Sequence, residues 1–164
     1  MKDSIFVIQK HQASTLHYDF RLQIGNILKS WVIPKGPSLN PKEKRLAILT
    51  KDHKLDFADF EGEIPAGEYG AGKIIVWDRG SYKNMTTKNG EHIPIQKAFE
   101  NGEITFFIQG EKLKGTFSLI LMKKQNEPKN WLLIKQDDQY SDNKSDPIID
   151  LPNSVISHKS VKEI

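Results

Sequence analysis

Leu16-His17-Tyr18-Asp19-Phe20-Arg21-Leu22-Gln23-Ile24, followed by Gly25-Asn26 and Ile27-Leu28-Lys29-Ser30-Trp31-Val32-Ile33, decides the fold class of this chain. Side chains alternate between the two faces of an extended strand, so Tyr18, Phe20 and Leu22 share one face while His17, Asp19 and Arg21 share the other. Gly25-Asn26 is a two-residue hairpin signal, because glycine tolerates the positive φ that such turns require. With Ile24 opposite Ile27, Phe20 falls opposite Trp31 and Tyr18 opposite Ile33, which gathers the large apolar groups on one side. That side is core; the other reads as wet and reactive.

Working outward, residues 5–10 read as a preceding strand, with Phe6 and Ile8 on one face and Val7, Gln9 and His11 on the other. A turn through Gln12, Ala13, Ser14 and Thr15 can bring the His11 imidazole beside His17 and Asp19. Downstream, residues 34–41 carry three prolines and form a loop whose Lys35 can reach an anion. Residues 45–53 read as a strand with Leu46 and Ile48 on one face and Arg45, Ala47, Leu49, Lys51 and His53 on the opposite one. Residues 54–72 are turn-rich. Within them Gly67-Glu68-Tyr69-Gly70-Ala71-Gly72 lacks the lysine-serine ending of a phosphate-binding loop and leads into a strand at 73–78, so tight turns are the reading.

Asp78-Arg79-Gly80-Ser81 reads as another turn and residues 82–93 as a polar loop. Residues 95–100 make one or two helical turns ended by Asn101-Gly102. Three more strands follow at 103–109, 116–122 and 131–135, with turns at 110–115 and 125–130. From Gln136 onward the chain is polar, with a short helical pattern only at 154–164. Many short strands separated by turns predict a mainly β fold, a barrel or sandwich with one or two short helices. The expected division is a β domain over 1–136 and, over 137–164, a polar C-terminal tail or docking segment.

Composition narrows the function. The 164 residues fit one domain, large enough to bury a core without a structural metal, so a metal site here would be functional. The absence of cysteine excludes thiolate ligands, cysteine nucleophiles and disulfides. Residues 1–8 are too short and polar for a signal sequence, and no apolar run approaches the ~20 residues of a membrane span. A cytoplasmic monomer without membrane association is expected. The net charge of +3 permits a nucleic-acid partner without requiring one.

Two imidazoles and a carboxylate suit a transition metal, and a neighbouring arginine suits a phosphate. His17-x-Asp19 points both ligands the same way without backbone distortion. Two chemistries use such sets. One is a non-haem iron oxygenase triad of His17, Asp19 and His53. The other is a metal-assisted phosphoesterase with His11, His17 and Asp19 on the metal and Arg21, Lys35, Arg45 and His53 around a phosphate. The surplus of cations favours the second, because a phosphate brings more charge than one metal neutralises. Arg21 is equally readable as a salt-bridge partner of Asp19. His92 and His158 read as surface residues, and Trp31, Trp77 and Trp131 as core.

Beyond these patterns, residues 6–22, 29–39, 45–47, 52–62 and 64–80 resemble the 3′-phosphoesterase domain of bacterial DNA ligase D, a family with free-standing members. The resemblance is carried by Gln9-Lys10-His11, by residues 16–22, by Trp31-Val32-Ile33-Pro34-Lys35-Gly36-Pro37 and by residues 67–72. Residues 131–135 resemble the family's last strand and 154–164 the segment after it.

The resemblance implies a small closed or partly open β-barrel that heals DNA 3′ ends for ligation in non-homologous end joining. Such an enzyme removes a terminal ribonucleoside and then the 3′-phosphate. It implies manganese on His11, His17 and Asp19, the scissile phosphate on Arg21 and His53, and Lys35 and Arg45 as further cations. The implied partners are a primer-template with a 3′-ribonucleotide or 3′-phosphate end and a separate ligase, polymerase or Ku. The sequence departs from the family in having Phe57 where a tyrosine is usual and Lys51 where an acidic residue is usual. Beginning almost at its first strand, it is also expected to lack the family's N-terminal arm. The alternative expectation is a non-catalytic module that binds DNA ends or a ligase.

Overall fold

Residues 3–123 and 129–164 are described by a computed structural model. The chain opens with β1 (Ser4–Gln12), β2 (Leu16–Ile24) and β3 (Ile27–Ile33), an antiparallel meander. Its second hairpin has the register set by Gly25, at φ 65°, with Ile24 opposite Ile27, Phe20 opposite Trp31 and Tyr18 opposite Ile33. The strands β4 (Lys44–Lys54), β5 (Gly62–Ile64), β6 (Gly72–Asn84), β7 (Thr87–Lys88), β8 (Glu91–His92), β9 (Glu103–Gly110), β10 (Lys114–Leu121) and β11 (Asn130–Lys135) follow. Two short helices, α1 (Ile95–Asn101) and α2 (Pro147–Asp150), complete the regular structure with 3₁₀ turns at Leu55–Asp59 and Val161–Glu163.

Hydrogen bonding runs β1-β2-β3-β4-β11-β10-β9-β6, and β6 pairs back onto β1, closing an 8-stranded antiparallel barrel. Closure leaves no edge on those strands to template aggregation. The interior is filled by alternate residues of every wall: Phe6, Phe20, Trp31, Trp77, Phe106 and Trp131 are all at most 2% exposed. Trp31 and Trp131 meet edge to face at 5.5 Å, and Phe99 of α1 stacks on Trp131 at 5.6 Å. All three tryptophans are therefore core, as their strand positions predict, while His92 and His158 are exposed.

Three expectations change. First, β6 runs unbroken through Asp78-Arg79-Gly80-Ser81, where a turn is predicted. Gly80 is there for close approach: a Cβ would stand 2.0 Å from the Gln109 carbonyl oxygen. The Asp78 carboxylate, fully buried, accepts the backbone N–H groups of Arg79, Glu111, Lys112 and Leu113, tying the β9-β10 turn to β6. Second, residues 87–92, expected as loop, fold into the β7-β8 hairpin around Asn89-Gly90. Third, β4 is bulged. Leu28 pairs with His53 but Ser30 with Thr50, so one extra residue of β4 is accommodated and the strand turns over between Thr50 and His53. Ala47 and Leu49 pack toward the core while Thr50 and His53 line the opposite surface, so His53 does not share a face with Ala47 and Leu49. The expected turn at 125–130 lies outside the described residues over 125–128.

Residues 137–164 run back over the barrel. Trp77 Nε1 donates to the Leu151 carbonyl at 2.8 Å, Lys112 Nζ donates to the carbonyls of Leu151 and Asn153, and Ser154 bonds Glu61. Of the expected helix at 154–164 only the 3₁₀ turn at Val161–Glu163 is present, closed by a capping box between Ser160 and Glu163. The turn α2 starts at an Asp146-Pro147 signal, with the Asp146 carboxylate accepting from Ile148 N. No helix among the described residues is long and apolar enough to cross a membrane.

Candidate functional site

The face of β2 turned away from the barrel interior carries His17, Asp19 and Arg21, and its neighbours complete the site by register. His11 of β1 lies directly opposite His17, Gln9 opposite Asp19, and Ser30 of β3 opposite Arg21. The turn at 13–15 thus brings the two imidazoles together, with ring centroids 4.6 Å apart. This face is not wet. The 3₁₀ turn at Leu55–Asp59 packs over it, building a second apolar cluster of Val7, Leu28, Ala58 and Val76, and leaves Asp19 5% and Arg21 3% exposed.

His11, His17 and Asp19 each offer a ligand atom, and those atoms lie within 4.8 Å of one another. Two backbone carbonyls orient the rings: Ala71 O is 3.0 Å from His11 Nε2 and Thr15 O is 3.3 Å from His17 Nδ1. When those nitrogens carry the protons, His11 Nδ1 and His17 Nε2 present lone pairs toward Asp19 Oδ2 and Oδ1, each 3.3 Å away. Three lone pairs facing one space is the arrangement a divalent cation satisfies, and the carbonyl contacts are of the kind that fix a ligand tautomer. The donor set therefore fits a transition metal.

The electrostatics agree. Burial pushes the Asp19 carboxyl up, but hydrogen bonds from His11 and His17 and the Arg21 charge outweigh it and hold the group well below the usual carboxylate range. Half-burial pushes the His17 imidazole down, yet the hydrogen bond to Asp19 and its charge leave it above its ordinary value.

Arg21 is held at every edge. Its Nε donates to Gln9 Oε1 at 2.6 Å, Nη1 donates to Ser30 Oγ at 2.8 Å, and Nη2 lies 3.4 Å from Asp19 Oδ2. Gln9 is itself fixed by donating to the carbonyl of Phe57 at 3.0 Å. The salt-bridge contact to Asp19 is thus present, in a guanidinium that also borders an open cleft of about 370 Å³ with His17, His53, Phe57 and Tyr69. His53 Nδ1 sits 3.0 Å from Arg21 Nη1 and 2.8 Å from the Lys51 carbonyl. Burial first, and then the Arg21 charge, lower the His53 pKa and favour the neutral ring.

The structure brings together five of the seven expected site residues, His11, His17, Asp19, Arg21 and His53. Lys35 is exposed and Arg45 pairs with Glu43 at 3.4 Å; neither lines the cleft. His53 reaches Arg21 and is not part of the metal-compatible group, so the His17-Asp19-His53 triad is not assembled. Gln9, Ser30 and Tyr69 were not anticipated. Ser30 follows from the register of the second hairpin, which puts it opposite Arg21, whereas Gln9 is brought opposite Asp19 by the β1-β2 pairing.

A closed antiparallel barrel carries a two-histidine, one-carboxylate group whose ligand atoms could hold a metal ion, beside a buried arginine. The chain belongs to the family described as the DNA Ligase D 3'-phosphoesterase domain, whose model matches residues 9–121. It is 43% identical over 158 residues to the multifunctional non-homologous end joining protein LigD of Pseudomonas aeruginosa, covering 95% of this chain and 18% of that protein. It is 38% identical over 157 residues to the protein of the same name from Mycolicibacterium smegmatis, covering 94% and 20% respectively. The multifunctional non-homologous end joining DNA repair protein LigD of Mycobacterium tuberculosis is 44% identical over 115 residues, 70% of this chain and 14% of the relative. The chain spans about a fifth or less of the length of these relatives.

Proposed function

We propose that this protein is a manganese-dependent 3′-end-healing phosphoesterase, removing a 3′-terminal ribonucleoside, a 3′-phosphate or both to leave a 3′-hydroxyl for ligation in end joining. The observation that carries the reading is the convergence of His11, His17 and Asp19 beside a fully held Arg21 at an open cleft. Membership of the 3'-phosphoesterase family supports hydrolysis of a phosphate ester as the reaction class.

In this reading His11, His17 and Asp19 would hold the ion, and a divalent cation there would supply Lewis-acid polarisation of a phosphate oxygen. Arg21 binds a second oxygen of the same phosphate. Its hydrogen bonds to Gln9 and Ser30 fix the guanidinium plane in advance, so little reorganisation accompanies charge development. His53 stands next to Arg21 with Nδ1 between a donor and a carbonyl acceptor. A proton on Nδ1 leaves Nε2 as an acceptor; a proton on Nε2 lets the ring donate to a leaving oxygen. Lys35 and Arg45, outside the cleft, serve the nucleic acid flanking the scissile phosphate. A ligase, polymerase or Ku supplies the remaining steps of end joining.

The test is an end-healing assay on primer-templates carrying a 3′-ribonucleotide or a 3′-phosphate, run across a divalent-metal series with and without chelator. Release of ribonucleoside or phosphate that requires metal and disappears in His17→Ala is the expected result. Binding without turnover, indifferent to chelator, would convert the assignment to a non-catalytic DNA-end module.

A further inference from the structure

Tyr69 is a large aromatic residue left 62% exposed at the lip of the site cleft. Its ring centroid lies 6.1 Å from that of His53, its hydroxyl stands 3.2 Å from Thr50 Oγ1, and Lys51 Nζ sits 5.1 Å from the ring. The ring thus has neighbours on two sides. Tyr69, Thr50 and Val32 also border a second cleft of about 650 Å³, which continues from the first across the outer surface of β3 and β4. Half-buried Ile48 adds to its apolar floor, and exposed Lys51 and Lys129 flank it. Among the described residues lining this groove there is no carboxylate.

We propose that this groove is the track of the single strand that ends in the site, with a base of that strand stacked on Tyr69 and its backbone phosphates between Lys51 and Lys129. The inference rests on the proposed function and deepens it. A nucleic-acid strand offers what the groove asks for: flat π-faces for an exposed aromatic ring, and regularly spaced negative charge for lysines with no carboxylate among the described lining residues. Continuity with the cleft at Arg21 and His53 supplies the direction, since a strand whose terminal phosphate reaches Arg21 must leave past Tyr69 or away from it. The groove lies on the Tyr69 side. Lys51 becomes a phosphate contact in this arrangement.

The experiment is fluorescence anisotropy with a labelled primer-template whose 3′-phosphate end is unpaired, titrated with the intact protein in chelator to suppress turnover. Tyr69→Ala is expected to weaken binding about tenfold, the scale of losing one stacked base, and Tyr69→Phe to restore it. Lys129→Glu is expected to weaken binding and to flatten its salt dependence. If Tyr69→Ala and Lys129→Glu both bind as the wild type does, the groove is overturned while the end-healing function stands. Equal losses in Tyr69→Phe and Tyr69→Ala overturn stacking in favour of the hydroxyl. A wild-type protein that binds no oligonucleotide overturns the groove and the functional reading together.

Discussion

The two faces of β2 are both buried, and they are buried for different reasons. Tyr18, Phe20 and Leu22 enter an apolar interior where each added contact favours folding. His17, Asp19 and Arg21 sit under a covering turn where charged groups lose water and recover it only through specific partners. Burial of paired charges is a weak source of stability, whereas loss of one partner leaves the other stranded. The lesson is that a strand can fold on one face and carry chemistry on the other, provided the polar face is satisfied atom by atom.

Substitutions on the two faces should separate activity from stability. The largest effect is expected at Arg21: Arg21→Ala should lower kcat on a 3′-phosphate end by about a hundred- to a thousandfold, the scale of removing a preorganised transition-state donor. Arg21→Lys should recover little, since lysine cannot span Gln9, Ser30 and a phosphate oxygen at once. Steady-state kinetics decides this, and retained activity in both variants would remove Arg21 from the reaction. On the inner face, Phe20→Ala should cost about 3–5 kcal/mol in urea unfolding by opening a cavity among aromatic rings. Asp78→Ala, which strands four backbone N–H groups, should cost about 2–4 kcal/mol in the same measurement.

The faces should also differ in the direction of their pH sensitivity. Burial pushes Tyr82 up to about 12, and burial with the nearby Asp146 charge does the same for Tyr18. Above pH ~10 the unfolded chain releases these protons while the folded chain keeps them, so stability falls between about pH 10 and 12. Asp19 is depressed, so in the metal-free protein its contribution is full above about pH 4 and is lost as pH falls toward its folded pKa. Urea midpoints across pH would show it. Tyr82→Phe should flatten the alkaline limb, and an unchanged limb would dissociate that face from the effect. The smallest changes belong outside the cleft: Lys35→Ala and Arg45→Ala should weaken primer-template binding by about two- to fivefold, more at low salt than at high.

Much of this was legible in the sequence because β1, β2 and β3 are regular. Strict alternation and one Gly-Asn turn fix the register of the second hairpin, and with it which face carries His17, Asp19 and Arg21. The short helix at Ile95–Asn101 was equally plain, because Gly102, at φ 78°, ends it in the left-handed conformation. What escaped was what alternation cannot carry. The β4 bulge adds a residue around Lys51-Asp52 with no glycine or proline to mark it, so the face of His53 was assigned across it. Gly80 resembles a turn glycine, but its reason lies in the Gln109 carbonyl far along the chain. Asn89-Gly90 is a hairpin signal, but its strands are only two residues each, too short for alternation to show. The cover over the site was invisible for a related reason: a 3₁₀ turn has no periodicity long enough to show an apolar side.

Closure of the barrel has one more consequence. The strands β1 and β2, which carry His11, His17 and Asp19, are each hydrogen-bonded on both sides, to β6 and to one another and to β3. Their amides are thus expected to exchange with solvent deuterium only when the whole sheet opens, on the slowest timescale the molecule has. The turn at Leu55–Asp59 and the loop at 65–71 have no such ladder and should exchange far sooner. The backbone geometry beneath His11, His17 and Asp19 is therefore expected to persist for as long as the protein stays folded, while the covering segments open locally.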